Sequence, residues 1–444
     1  MSFNPLKEKG IPLEKQIKTY DDIVHRPYKR EIVDCYTRTR QILMNGIEVE
    51  SWGFKHHIVR TSDCMETKRL VSDIRRIEDM QQTTINWLCP HNQSVLDTTL
   101  GYEQVAIDLT SWLAQNEPDE YVRETYDFGL LEDFDHLYRY SQFAYLIEGT
   151  DSNDILHYNT DVMFARPTQY HHNPNRIRIR KSYDKSKVSF QTKANILTLM
   201  SAEQQTHNFY AEHGFMYGSD DLRRLYAEIS DVEEEHVTMY ETLIDPNETM
   251  YEKLLLHEFM EVCCYHNCYK DEIDSKIKLI WEEFLAMEIE HLKLAANLLK
   301  EKENKDPEEI IGDKVYDTCH FESQQEYVQN VIENEIDKRL DAKSDMGYST
   351  IDELQEDWEG YDVQKVLLKS KIPSETAVNL VIVSQNTDII SCDDGLYKKR
   401  DKLIDKALDN NAVSKNTLRG AEYKKLDKKN VFEWYYRGIL PLFL

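Results

Sequence analysis

Glu103, Asp133 and His136 share one spacing with Glu203, Glu233 and His236 and with Glu258, Glu288 and His291: an acid, a second acid 30 residues on, and a histidine three residues after that. Buried together, such residues make a metal cage, because carboxylate oxygens and imidazole nitrogens are the ligands a divalent transition metal takes from a helical core. Clustered acids hold protons unless cations neutralise them, so a cage of this type calls for its metals. The acid and histidine spacing is weak by itself. With 81 acidic residues among 444, about three of the 15 histidines should follow an acid by three places by chance, and six do. Of the other three pairs, Asp22/His25, Asp154/His157 and Asp317/His320, only Asp154 also has an acid 30 residues earlier, Glu124.

What separates the three sets from chance is the middle of each gap. It falls on Asn116-Glu117-Pro118-Asp119, on Gly218-Ser219-Asp220-Asp221 and on Lys270-Asp271-Glu272, all turn signals. Two antiparallel helices of about four turns then bring both acids to one depth, with the histidine a turn from the second. The Glu124/Asp154 pair has Leu137-Tyr138-Arg139-Tyr140 at its centre, which offers no turn, and Asp154 itself follows the Gly149-Thr150-Asp151-Ser152-Asn153 breaker.

Apolar residues recur at helical spacing over 92–114, 121–147, 194–216, 222–243, 250–269 and 273–299, which predicts six helices in three hairpins. The segment 149–190 between the second and third helices is irregular; it carries His157, His171, His172, Pro167 and Pro174 and a basic run from Arg176 to Lys181 that reads as a solvated loop. Residues 1–90 are expected to flank the helical domain of 91–300, and 41–52 reads either as a strand pair turning at Asn45-Gly46 or as a helix interrupted by one glycine. Residues 301–444 form a charged extension with one further helix near 324–340, an apolar segment at 377–384, and a tail (431–436 and 440–444) able to dock on the core or on a second copy of the chain in a homodimer.

Only 14 glycines and 11 prolines in 444 residues favour long helices over a many-turned β architecture, so the fold class is all-α. A formal charge of −27 argues against nucleic acid as a partner. Eight cysteines without a C-x-x-C pair, no apolar leader at the start and no 18-residue apolar run point to a cytoplasmic protein with no membrane span. Walker A, G-x-S-x-G and Gly-rich dinucleotide motifs are missing. His257, Glu261, Cys264 and Cys268 share one helix face, which reads as buried small apolar packing rather than a soft-metal set.

These motifs resemble the ferritin-like di-iron carboxylate superfamily, whose ligand pattern is two single glutamates and two Glu-x-x-His motifs on four helices. The segment Ala202-Glu203-Gln204-Gln205-Thr206-His207 looks like the first ligand helix of rubrerythrin, and Asp231-Val232-Glu233-Glu234-Glu235-His236 like its second; His257-Glu258-Phe259-Met260-Glu261 with Glu288-Ile289-Glu290-His291 is similar to the later pair. The resemblance covers roughly residues 100–299, and its spacing is also similar to ribonucleotide reductase small subunits and bacterial multicomponent monooxygenases. It departs from rubrerythrin in lacking a rubredoxin-like cysteine set, and Asp133 stands where the family has glutamate.

The resemblance implies a ferritin-like helical bundle holding two iron ions, or manganese, or a mixed pair. It implies an oxidoreductase that activates O2 or reduces peroxide and takes electrons from a separate donor protein. In that reading Glu233 and Asp133 bridge, Glu103 and Glu203 are terminal ligands, His136 and His236 bind one ion each, and no catalytic residue beyond the ligands is expected. Connection lengths favour this set. A ferritin-like order needs a crossover of about 30 Å between the second and third helices, which 149–190 can span; the short link at 245–248 reaches about 15 Å at most and makes its two helices antiparallel. Glu258 or Glu261, Glu288 and His291 are then a supplementary cluster, either a second metal site or a hydrogen-bonded core face. A non-catalytic metal-handling protein and a structural helical scaffold are the alternatives. An apolar pocket beside the metals favours the enzyme, a polar channel favours ion handling, and outward-pointing acids leave the scaffold.

Overall fold

The structure, a computed structural model, describes residues 3–162, 175–336, 338–340 and 348–350. The described residues are all-helical apart from one small antiparallel strand pair, Lys338–Leu340 (β1) with Tyr348–Thr350 (β2). Eight long helices carry the core: α1 (Cys35–Thr61), α2 (Met65–Trp87), α3 (Val95–Asn116), α4 (Glu120–Phe143), α5 (Phe190–His213), α6 (Asp220–Glu241), α7 (Met250–Asp271) and α8 (Ser275–Glu303). A shorter α9 (Gln325–Glu335) packs on α4.

Most of these helices start where a short polar side chain can satisfy the free N–H groups of the first turn. Asp34, Asp119 and Asp274 each accept two backbone N–H bonds, Ser189 and Ser219 accept one each, and Ser94 with Asp97 and Thr249 with Glu252 form reciprocal capping boxes. The links are short, so successive helices fold back as four hairpins: α1–α2, α3–α4, α5–α6 and α7–α8.

The hairpins pair in a nested order. The two central ones pack as an inner bundle, α3 against α5 and α4 against α6; the first and last pack as an outer bundle, α1 against α7 and α2 against α8. Helix α1 also lies on α3 and α5, which joins the bundles through one continuous apolar core. At this junction a Cβ on Gly46 would stand 2.7 Å from Nε2 of Gln205, an atom that donates to the Ile42 carbonyl at 2.8 Å, so only glycine lets α1 and α5 approach this closely.

Residues 35–87, read from the sequence as flanking, are thus two core helices, and 41–52 lies within one uninterrupted helix. The expected crossover leaves the end of α4 and arrives beside its start: Lys181 N donates to the Tyr121 hydroxyl at 3.0 Å and Gln191 Nε2 to the Asn116 carbonyl at 2.9 Å, which places the start of α5 beside the start of α4. The helix expected over 324–340 ends at Glu335 and gives way to β1. His171, His172, the 377–384 segment and the C-terminal tail lie outside the described residues. Among the described residues no helix is long and apolar enough to cross a membrane.

Candidate metal centres

The inner bundle brings six predicted residues together, all buried: Glu103 on α3, Asp133 and His136 on α4, Glu203 on α5, and Glu233 and His236 on α6. Glu233 is the shared member. Its Oε1 lies 3.0 Å from Nδ1 of His136 and its Oε2 3.1 Å from Nδ1 of His236. The His236 nitrogen also lies 3.3 Å from Asp133 Oδ1 and 3.8 Å from Glu203 Oε2. The ligand atoms therefore fall into two sets, Asp133/Glu203/Glu233/His236 and Glu103/His136/Glu233, each within 4.8 Å and able to hold a metal ion. Asp133, expected to bridge, groups with the His236 set alone.

Surrounding residues hold these groups in place. The other nitrogen of His236, Nε2, lies 2.7 Å from Glu132 Oε2, and the same oxygen accepts from Arg178 Nη1 at 3.2 Å. Arg178 also pairs with Glu235 at 2.5 Å. A histidine whose far nitrogen is committed to a carboxylate turns its near nitrogen toward a metal with fixed tautomer and angle. On the opposite side Tyr210 donates its hydroxyl to Glu103 Oε1, and Tyr140 and Tyr226 pack on Tyr210 with ring centroids 5.2 and 5.6 Å away.

The charge of the cage asks for cations. Burial, with the nearby Glu233 and Glu203 charges, raises the carboxyls of Glu103 and Asp133 well above their usual range, and burial beside Glu233 lifts Glu203 to about 8. Burial also opposes the ionised Glu233, but His136 and His236 hold it down at about 2. Desolvation disfavours the His236 imidazolium, yet Asp133 and the other acids raise it. No hydrogen-bond donor reaches Asp133 Oδ2, Glu203 Oε1 or Glu103 Oε2. Once its protons are displaced, a cage of four carboxylates carries the charge that two divalent ions would cancel, and orphaned oxygens in a buried site are the atoms such ions would take.

The third predicted hairpin does not join this site. Glu258 and Glu261 on α7 and Glu288 and His291 on α8 lie in the outer bundle, where α1 and α2 add Glu48, Lys55, Glu78 and Gln81, all buried. Glu78, Glu258, Glu288 and His291 bring one ligand atom each within 4.8 Å. Glu261 lies beside that set, within reach of the Glu288 carboxyl and 3.7 Å from the Lys55 ammonium, and Lys55 also contacts Glu78 at 2.5 Å and Glu258 at 3.0 Å. Burial raises the carboxyls of Glu48, Glu78, Glu258 and Glu288. Thus the acids of the three predicted ligand sets, Glu103, Asp133, Glu203, Glu233, Glu258, Glu261 and Glu288, are all buried.

Sequence reasoning missed Glu132, Arg178, Lys55, Glu48, Glu78 and Gln81. A signal existed for three of them: Glu48 and Glu78 also stand 30 residues apart, with Gln81 three further on in the histidine's place. Arg178, read as part of a solvated run, is fully buried. His257 lies 3.2 Å from Glu50 and stacks on Phe54, while Cys268 faces Cys319 at 3.7 Å, so the α7 face divides between different neighbours. No protein-family model matches the chain, and no curated protein or solved structure is significantly similar to it.

Proposed function

We propose that the inner bundle is the dinuclear metal centre of an oxidoreductase of the ferritin-like carboxylate kind, holding two iron ions, or manganese in one or both positions, and acting on O2 or peroxide. The observation that carries this reading is the placement of Glu233: each of its oxygens faces a different histidine, so one carboxylate serves two ligand sets. Two bound ions of this type supply electrons one at a time and a Lewis-acidic face for dioxygen or peroxide.

The chain's own residues do the rest. Glu103 and His136 would hold one ion, Asp133, Glu203 and His236 the other, and Glu233 both. Glu132 and Arg178 fix the His236 ring, and the Tyr210 hydroxyl fixes Glu103. Full burial keeps bulk water off the ligands, which preserves the strength of every charge interaction in the cage. Electrons would come from a separate donor protein.

The test is metal analysis of the chain purified without chelator, beside a Glu233→Ala variant, followed by oxygen consumption of the anaerobically Fe(II)-loaded protein. The expected result is the loss of about two ions per chain in the variant, with Fe(II)-dependent oxygen uptake in the wild type alone. A folded wild type whose Fe(II) content does not depend on Glu233 overturns the reading. Uptake of many more iron ions per chain than ligand sets would instead favour iron handling.

A further inference from the structure

The two bundles are copies of one plan. Glu103, Asp133, His136, Glu203, Glu233 and His236 of the inner bundle stand 55 residues from Glu48, Glu78, Gln81, Glu258, Glu288 and His291 of the outer one, before or after according to the hairpin (103 against 48, 258 against 203). The tyrosines follow the same rule: Tyr210 donates to Glu103, and Tyr265, 55 residues on, donates to Glu48. So does the close-packed glycine of the first helix in each bundle, Gly46 and Gly101.

On this register the ligand set Asp133/Glu203/Glu233/His236 corresponds residue by residue to Glu78/Glu258/Glu288/His291, and both sets converge within 4.8 Å. The other inner set does not survive. Gln81 replaces His136, and its amide donates to Glu288 Oε1 at 2.7 Å, where His136 faces Glu233. Two further positions differ: Lys55 and Glu261 stand where the inner bundle has Thr110 and Thr206, so the outer bundle gains one cation and one acid that touch each other.

Lys55 does not complete the surviving set. Its ammonium reaches Glu78, Glu258 and Glu261, while Glu288 and His291 lie beyond ion-pair range of it. His291 is positioned as a ligand: its Nε2 faces Gln16 Oε1 at 2.8 Å, and the Gln16 amide nitrogen is committed to the Ile11 carbonyl, so the ring donates outward and turns Nδ1 toward Glu288 Oε2 at 2.9 Å. A neutral ring presents a lone pair there. Glu258 Oε2 lies 4.0 Å from the same Nδ1 with no hydrogen-bond donor, and Glu78 Oε1 lies 3.8 Å from it on the side of the Lys55 ammonium.

We infer that the outer bundle is a second, unequal centre: a single divalent transition-metal ion held by Glu78, Glu258, Glu288 and His291, with the Lys55 ammonium supplying the positive charge that a second ion supplies in the inner bundle. The chain then carries one two-ion and one one-ion site, built from the same helical plan.

The experiment is an anaerobic Co(II) titration of the metal-stripped full chain, with bound cobalt counted after gel filtration and helicity followed by circular dichroism. The wild type is expected to retain about three ions, His291→Ala about two and Glu233→Ala about one. A folded Glu233→Ala protein that retains none overturns the inference, and so does a His291→Ala protein with the wild-type count. Glu288→Gln, close in volume to the native residue, repeats the His291→Ala arm should that variant unfold. If the inner reading alone fails, wild type and Glu233→Ala both retain about one ion that His291→Ala abolishes, and the outer site stands by itself.

Discussion

The hydroxyl of Tyr210 donates to Glu103 Oε1 across the gap between α5 and α3, and the donor is as buried as the acceptor. Burial raises both groups, so the phenol keeps its proton in this bond, and a cation at Oε2 would displace the proton that burial favours on Glu103. Tyr210→Phe removes this donor and leaves a carboxylate oxygen bare. The variant should weaken metal binding at the Glu103/His136 position by about 10- to 100-fold while the Asp133/Glu203/His236 position changes little. Stepwise Co(II) titration separates the two; equal loss at both would assign Tyr210 to general packing.

Glu203 makes the stability of the metal-free chain depend on pH. Burial and the Glu233 charge lift its carboxyl from an ordinary 4.5 to about 8 in the folded, metal-free chain. The folded state then binds the proton more tightly than the unfolded one. Its contribution is fully present below the unfolded value and is lost as pH rises from about 4.5 to about 8. Metal-free protein should therefore lose stability over that window, Glu203→Gln should lose less, and Fe(II) or Co(II) should remove the difference, because the ion takes the proton's place. Urea titrations at several pH values read this directly, and a Glu203→Gln slope identical to wild type would refute it.

Lys55 offers a test of coupling. In metal-free protein, Lys55→Met leaves Glu78, Glu258 and Glu261 without their shared cation and should cost about 3–5 kcal/mol. Replacing both Lys55 and Glu261 by threonine recreates the Thr110 and Thr206 of the inner bundle and removes a charge of each sign. The double variant should therefore be more stable than the sum of the two single changes by about 1–3 kcal/mol. Additive chemical-denaturation energies would show that the two residues do not answer one another.

The elements that were legible in the sequence share a cause. Helices α3 to α8 combine helical apolar periodicity with Ser, Thr or Asp at the cap and a breaker beyond, so local and tertiary preferences agree. The inner cage was legible because histidine is rare enough for its spacing to stand out. Helix α1 was obscured by Gly46, which reads locally as an interruption and is explained only by the approach of Gln205 from α5. The outer cage was half hidden because Gln81 breaks the histidine pattern in the one hairpin that completes it. Lys55 and Arg178 carry no sequence mark of burial. Their partners, Glu258 and Glu261 for one and Glu132 and Glu235 for the other, come from distant helices, and a charged residue reads as exposed until those partners are placed.

Arg178 ties the crossover to the His236 ring through Glu132. It sits fully buried at the end of the crossover, bonded to Glu132 and Glu235, while Glu132 in turn accepts from His236. Arg178→Met keeps the bulk and removes the charge, so Glu132 would take a proton or draw one from His236. Either change alters which nitrogen of His236 carries hydrogen, and a ring protonated at Nδ1 cannot bind metal. The expected result is a roughly 10- to 100-fold loss of affinity at the His236 position, together with about 3–5 kcal/mol of stability from the unpaired buried acids. Glu132→Gln, which leaves a hydrogen-bond acceptor for His236 and no charge to compensate, should recover part of both losses when combined with Arg178→Met. Metal titration and urea denaturation of the three proteins decide it: recovery of stability without recovery of affinity would mean that Arg178 anchors the crossover and does not position His236.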